Sequence, residues 1–277
     1  MIIEGKSIAG QIELEIKEEL KQLGTPKLAA VIVGADEGTK SYMKSIQKVG
    51  EKIGIEVEIV NLSEESKTED VREVLSGLNF KKDGIIIGRP FPPHIDEQKV
   101  IASISPEKDI DCLHPVNLGL LFLGTPRFKP CTPQAVIEIL NHTRTTICGK
   151  KVTIVGRSNI VGKPLAIMLI QRGVDATLTV CHTKTQDLSA RTRDADILIV
   201  AAGYPWLVGA DMIKKGAVVI DVGINVKDGK LVGDVNFQEV EPKASLITPV
   251  PGGVGPVTTQ VLMRNVLLAK KLSIYSK

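Results

Sequence analysis

The sequence predicts an α/β protein of two lobes, each built on a parallel sheet with crossover helices. Three observations carry that reading. Short runs of almost wholly apolar residues recur along the chain, and several of them end on glycine. Between the runs lie stretches with helical periodicity. The rhythm breaks once, in a proline-rich middle, and then resumes.

The elements follow in order. Ile8, Ile12, Ile16 and Leu20 recur every four residues among Glu and Lys, the mark of an amphipathic helix. "KLAAVIVG" is a buried strand closed by glycine. A helix around Tyr42 comes next, then "IEVEIV" with strand alternation, a polar helix near 68–78, and the buried strand "DGIIIG". From "RPFPPHI" to "KPCTPQ" prolines cluster and loops are expected. A helix from 133 to about 141 restarts the pattern, followed by strand "KVTIVG", a helix from about Gly162, and strands "ATLTVCH", "ADILIVAAG" and "GAVVIDVG". A long final helix begins in "GPVTTQVLMRNVLLAKKLSIY". The lobe boundary falls within 117–133.

Composition narrows the function classes. Net charge is +3, from 35 basic and 32 acidic residues, without a long single-sign run, which argues against a dedicated nucleic-acid or membrane-surface binder. Aromatic residues are only 3%, too few for stacking platforms on single strands. Cys112, Cys131, Cys148 and Cys181 form no CxxC pair, so reduced thiols are expected and no metal site. The start of the chain does not read as a signal peptide, and "ADILIVAAG" is too short to span a bilayer, so a cytoplasmic location is expected.

Three motifs carry chemistry. In "VTIVGRSNIVGKP" a strand ends at Gly156 and Gly162 opens a helix with Pro164 in its first turn. Such a turn lets backbone approach a ligand, and the helix N-terminus favours phosphate. The spacing is G-x-S-x-x-x-G, which misses the general dinucleotide fingerprint; the same pattern also serves a strand-to-helix turn with no ligand. The next strand ends "TVCHTKT", with Thr183 and Lys184 but no acid, and Arg157 stands in the glycine loop. An NAD site places an acid there for the ribose 2′-OH, so this corner favours NADP. The second motif, "TPVPGGVGPVT", is a rigid Pro-Gly loop before a helix, suited to close backbone approach or simply to a tight connection. The third is "SPEKDIDCLHPVNLGLL". Asp109 and Asp111, two apart, face opposite ways if extended, so one enters a cleft and the other does not. A carboxylate there matches the paired N–H edge of a pterin-like ring, although solvated loop acids have the same spacing. His114 and His182 read as structural or surface residues.

Together and in this order, "PEKDIDCLHPVNLGLL", "GRSNIVGKP", "CHTKT", "VVIDVGIN" and "TPVPGGVGPVT" resemble the bifunctional methylenetetrahydrofolate dehydrogenase/cyclohydrolase family, over essentially the whole chain. The resemblance implies an N-terminal folate-facing α/β lobe, a C-terminal Rossmann-type NADP lobe, a substrate cleft between them, a final helix that returns to the first lobe, and a homodimer. The domains are then residues 1–120 with 257–277, and residues 121–256. It also implies tetrahydrofolate derivatives as partners, with no nucleic acid and no membrane. By resemblance Gly156, Arg157 and Ser158 hold the cofactor phosphates, Thr183 lies near the 2′-phosphate, and Ile224 lines the nicotinamide side. Asp111 grips the pterin, Tyr42 stacks on or hydrogen-bonds the folate, and the loop Pro251, Gly252, Gly253 closes the cleft.

One departure from the family stands out. Its catalytic lysine lies four residues after the tyrosine, where this chain has Ile46, and its supporting glutamine lies in a "VQLPLP" stretch, where "IGRPFP" puts Gly88. No neighbour substitutes: Lys44 lies about 200° round the helix from Tyr42 and Lys48 about 240°. Arg89 stays protonated and is a poor base. Hydride transfer from the methylene bridge needs no departing proton, whereas hydrolysis of the methenyl cation does. The expectation is therefore a dehydrogenase whose cyclohydrolase step is weak or relies on another group. The alternatives are a monofunctional dehydrogenase, a non-catalytic folate or nucleotide binder, and another two-lobed dehydrogenase acting on a small acid, which leaves "PVPGGVGP" unexplained.

Overall fold

The computed structural model describes residues 1–34 and 37–275. The chain falls into two compact units, residues 11–129 with 259–277, and residues 1–10 with 130–258. The described elements begin with helix α1 (Gly5–Leu20), strand β1 (Lys27–Val33), α2 (Glu37–Ile53), β2 (Glu56–Leu62), α3 (Thr68–Lys81) and β3 (Gly84–Ile87). The three strands form a parallel sheet in the order β2-β1-β3. The central strand is buried at six of seven positions, which is why it reads as one unbroken apolar run. Val31, Ile85 and Ile87 pack with Val71 and Leu75 of α3 into one core.

The proline-rich stretch, where loops were expected to dominate, also contains two short helices. Helix α4 (Glu97–Ile101) is capped by Asp96, whose carboxylate accepts from Lys99 N at 3.2 Å. Helix α5 (Pro115–Phe122) starts with proline at its first position, and the ring Nδ1 of His114 accepts from Val116 N at 3.1 Å. Proline preorganises such a start as readily as it ends a helix, and periodicity alone is blind to a helix of two turns.

The other unit continues with α6 (Cys131–His142), β4 (Lys151–Val155), α7 (Gly162–Leu169), β5 (Thr177–Cys181), α8 (Leu188–Arg193), β6 (Ile197–Val200), β7 (Val218–Asp221), β8 (Asn225–Lys227), β9 (Lys230–Val232), α9 (Phe237–Val240) and β10 (Leu246–Ile247). Its main sheet is parallel, in the order β10-β7-β6-β4-β5, while β8 and β9 pair as a hairpin that the apolar pattern did not announce. In chain order within the unit that is 2-1-3-4-5, a doubly wound sheet with its switch between β4 and β6. Helix α10 (Val254–Tyr275) closes the chain. Its residues from 259 group with 11–129: Asn265 Nδ2 donates to the carbonyls of Ile110 and Lys129 at 2.8 and 3.0 Å, and Lys270 pairs with Asp83 at 3.4 Å.

The compact units differ from the division at 1–120 with 257–277 and 121–256 in three places, the shortest being residues 257–258, which group with 130–258. Residues 1–10 group with 130–258, because the amino terminus donates to Ser245 O at 2.9 Å and Ile3 N and Gly5 N donate to Ile247 O and Gly252 O at 3.0 and 2.8 Å. Residues 121–129 group with 11–129, tied at their end by Asn265. Among the described residues no helix is long and apolar enough to cross a membrane.

Candidate active site

Strand β4 leads directly into Gly156, which has φ +130°. A Cβ here would lie 2.2 Å from the carbonyl oxygen of Ala201, the residue after β6. The loop therefore runs hard against the switch point, and only glycine fits. At Gly162 a Cβ would lie 2.2 Å from Gly156 O, so α7 begins directly on that loop. The hydroxyl of Ser158 accepts from Val161 N at 3.1 Å and from Gly162 N at 3.4 Å, which leaves its own proton to donate. Arg157 and Ser158 are both exposed.

Strand β5 lies beside β4, with Gly156 N donating to Cys181 O at 2.9 Å. The turn after it is tied by its own side chains: His182 N donates to Thr185 Oγ1 at 2.8 Å, and Lys184 N to His182 Nδ1 at 3.1 Å. Thr183 and Lys184 stand exposed on that turn. The next acid, Asp187, caps α8 by accepting from Ala190 N at 3.1 Å. A backbone cradle with a basic, hydroxyl-bearing corner and no carboxylate at the strand end fits a dinucleotide carrying a 2′-phosphate.

The loops after β6, β7 and β10 complete this end of the sheet. Ile224, after β7, is 67% exposed, a large apolar side chain left open where a flat ring can cover it. Two buried carboxylates bond the backbone and Asn225 of these loops. Asp234 accepts from the backbone N–H groups of Ala202, Gly203 and Tyr204 at 2.6, 2.9 and 2.9 Å, and from Asn225 Nδ2 at 2.8 Å. Asp221 accepts from Gly223 N and Asp234 N, both at 3.0 Å, and from Val235 N at 2.9 Å. Burial pushes the Asp221 carboxyl up to about 7, and the neighbouring Asp234 adds to the rise against the pull of those N–H donors. A cavity of about 450 Å³ opens beside Asp221, with Trp206, Phe237 and Val250 in its wall. After β10, Pro251 and Gly252 are exposed and Gly253 is buried; a Cβ on Gly5 would lie 1.8 Å from Gly253 O, so the start of α1 is pressed on this loop.

In the unit formed by 11–129 and 259–277, the "KDID" segment is a turn and not the extended loop on which the opposite facing of its two acids was argued. Asp109, 1% exposed, accepts from Leu113 N, His114 N and Asn117 Nδ2 at 3.0, 2.8 and 2.8 Å, and so folds its own loop. Asp111 is half-buried, and the chain turns sharply after it through Cys112 at φ +58°. The Cys112 thiol is pushed far up, by burial and by the charges of Asp109 and Asp111, so it is no nucleophile.

Helix α2 presents Tyr42, 43% exposed, at the edge of a buried stripe of Thr39, Met43, Ile46, Gly50 and Ile53. Ile46 is 0% exposed. Gly88 follows β3, and a Cβ there would come 2.9 Å from Thr39 Cγ2 and 3.2 Å from Met43 Cε. The space that a longer side chain at 88 would need is thus filled by α2. Lys44 and Lys48 are exposed. Arg89 is tied to Glu97, and its carbonyl accepts from Thr39 Oγ1 at 2.8 Å. His114 and His182 serve turns, as their sequence positions suggested. The sequence reading missed Asp221 and Asp234; the glycines beside them in "DVG" and "GDV" were the available signal.

Known proteins match along the full length. Residues 3–111 match the family described as "Tetrahydrofolate dehydrogenase/cyclohydrolase, catalytic domain", and residues 130–274 match its "NAD(P)-binding domain". The bifunctional protein FolD of Halothermothrix orenii is 49% identical over 278 residues, covering 98% of each chain. Among solved structures, the bifunctional FolD dehydrogenase/cyclohydrolase of Campylobacter jejuni is 42% identical with a TM-score of 0.94, covering 99% of each chain. The Trypanosoma brucei enzyme, solved with NADP cofactor and inhibitor, is 38% identical with a TM-score of 0.94, over 99% of this chain and 98% of that one. With both domains matched and each motif in its place, the chain belongs to the tetrahydrofolate dehydrogenase/cyclohydrolase family.

Proposed function

We propose that this protein oxidises 5,10-methylenetetrahydrofolate to 5,10-methenyltetrahydrofolate with NADP, and that it hydrolyses the methenyl product to 10-formyltetrahydrofolate only slowly. One contrast carries the reading. The cofactor corner is complete, down to a Gly156 whose Cβ would strike Ala201 O, whereas Ile46 is 0% exposed and Gly88 is closed over by Thr39 and Met43.

NADP, when bound, accepts the hydride that leaves the methylene carbon. The chain's own part is to bind and orient. The Gly156 turn lets backbone reach the pyrophosphate; Arg157 and Ser158 donate to phosphate oxygens, and Thr183, with Lys184, meets the 2′-phosphate. Ile224 covers one side of the nicotinamide and keeps water from it. Asp111 accepts the N–H edge of the pterin, Tyr42 steadies the folate, and Pro251, Gly252 and Gly253 border the reacting end. The cation left by hydride loss is shared by two flanking nitrogens, so positioning suffices. Hydrolysis instead needs a group to take a proton from the attacking water, a contribution of roughly 10²–10⁴-fold, and the family's positions for that group hold hydrocarbon and hydrogen here. A cytoplasmic location is part of the proposal, in keeping with four free cysteines, and so is a homodimer, which rests on the family resemblance.

The test is a set of initial rates on one preparation: methylenetetrahydrofolate oxidation with NADP and with NAD, and hydrolysis of methenyltetrahydrofolate supplied directly. Oxidation favouring NADP, with hydrolysis slower by about 10²-fold or more, is expected; comparable rates for the two steps contradict the proposal.

A further inference from the structure

The pair Asp221 and Asp234 is built as a reciprocal lock. Gly223, two residues after Asp221, makes room for Asp234: a Cβ there would lie 2.2 Å from the Asp234 carboxyl carbon. Gly233, one residue before Asp234, makes room for Asp221: its Cβ would lie 1.8 Å from Asp221 Oδ2. Each acid thus depends on a glycine beside the other. Asp221 holds the backbone N–H of Asp234 itself at 3.0 Å, and Asp234, 0% exposed, then gathers four donors. Three are consecutive backbone groups of the loop after β6, from Ala202 to Tyr204; the fourth is Asn225, which directly follows Ile224 in the loop after β7. A buried carboxylate with four donors is an expensive arrangement merely to close two turns, each of which a single backbone bond could hold. What it achieves is to fix the two loops against each other at the end of the sheet where Ala201 meets Gly156 and Ile224 stands exposed.

We propose that Asp234, held in place by Asp221, is a positioning residue for hydride transfer: it sets the loops that orient the nicotinamide, while the phosphates are held elsewhere, by the Gly156 turn. The inference rests on the dehydrogenase reading above. Loosening the lock leaves NADP bound through its phosphates but misplaces the ring, and a displacement of about 1 Å costs on the order of 10²-fold in rate.

The experiment compares wild type, Asp234→Asn and Asn225→Ala. NADP is titrated calorimetrically to give both its Kd and the number of competent sites, and dehydrogenase kcat is expressed per titrated site. The expected result is an NADP Kd within about threefold of wild type in both variants. Per-site kcat should fall roughly 10- to 100-fold in Asp234→Asn and about two- to tenfold in Asn225→Ala, which loses one of the four donors. A merely structural defect lowers the count of sites, not the rate at each. Should Asp234→Asn fail to fold, Asn225→Ala decides alone. Unchanged per-site kcat, or a Kd weakened as much as kcat falls, overturns the proposal. A wild-type chain that binds NADP but transfers no hydride overturns the dehydrogenase reading first, a result distinct from variants failing beside an active parent.

Discussion

At position 46, where the family keeps lysine, this chain has an isoleucine sealed in the core of its lobe, and at 88 a glycine lies under Met43. At 88 the space a side chain would take is filled by Thr39 and by the flexible end of Met43. Restoring hydrolysis therefore takes three changes, Ile46→Lys, Gly88→Gln and Met43→Val, the last to clear room. Desolvation at 46 would lower the lysine's pKa, which suits a base. The triple variant is expected to hydrolyse methenyltetrahydrofolate at least about tenfold faster than wild type, with oxidation little changed, both read by absorbance. A second residue-level consequence concerns pH. The Asp221 carboxyl is raised to about 7, so the fold favours its protonated form. Its stabilising contribution is complete below the unfolded value of about 3.9 and is lost as pH rises through about 7. The Tm of wild type relative to Asp221→Asn should accordingly shrink between about pH 5 and pH 8; a constant or widening gap would refute it.

Among the elements, β1, β3, β4, β6 and β7 were legible because a strand buried on both faces must be apolar throughout, and Gly156 because a turn against Ala201 O admits no side chain. The spacing of Asp109 and Asp111 did not reveal that Asp109 would fold its own loop, because the N–H groups it accepts from carry no residue identity. The reciprocal carboxylates stayed hidden: they are thirteen residues apart, and six of their seven donors are backbone N–H groups, which carry no residue identity. The grouping of residues 1–10 was equally invisible, since it rests on main-chain bonds to 245, 247 and 252. Helix α10 offers a test at this scale. Asn265 donates to the carbonyls of Ile110 and Lys129, and Ile110 immediately precedes Asp111. Asn265→Leu removes both donors, which should cost about 2 kcal/mol or more of stability. KM for the folate should rise severalfold while NADP affinity holds; an unchanged folate KM would detach α10 from the setting of Asp111.

For the whole molecule, one chain carries two kinds of site with different needs. On the proposed reading, oxidation asks for two flat rings to be held; the doubly wound sheet serves the nicotinamide through backbone, with a glycine turn at its switch point and loops fixed by buried carboxylates, and Asp111 and Tyr42 serve the pterin. Hydrolysis asks for a titratable side chain beside Tyr42, and the packing of α2 on Gly88 leaves none at the two family positions. On the proposed reading the second reaction is weakened with the fold intact, since Ile46 is 0% exposed within the core it sits in. The consequence is visible in what leaves the enzyme. With NADP and methylenetetrahydrofolate supplied together, methenyltetrahydrofolate should accumulate nearly mole for mole with NADPH, apart from its uncatalysed hydrolysis. If methenyltetrahydrofolate stays low while NADPH and 10-formyltetrahydrofolate rise together, the second activity is intact and the central claim is wrong.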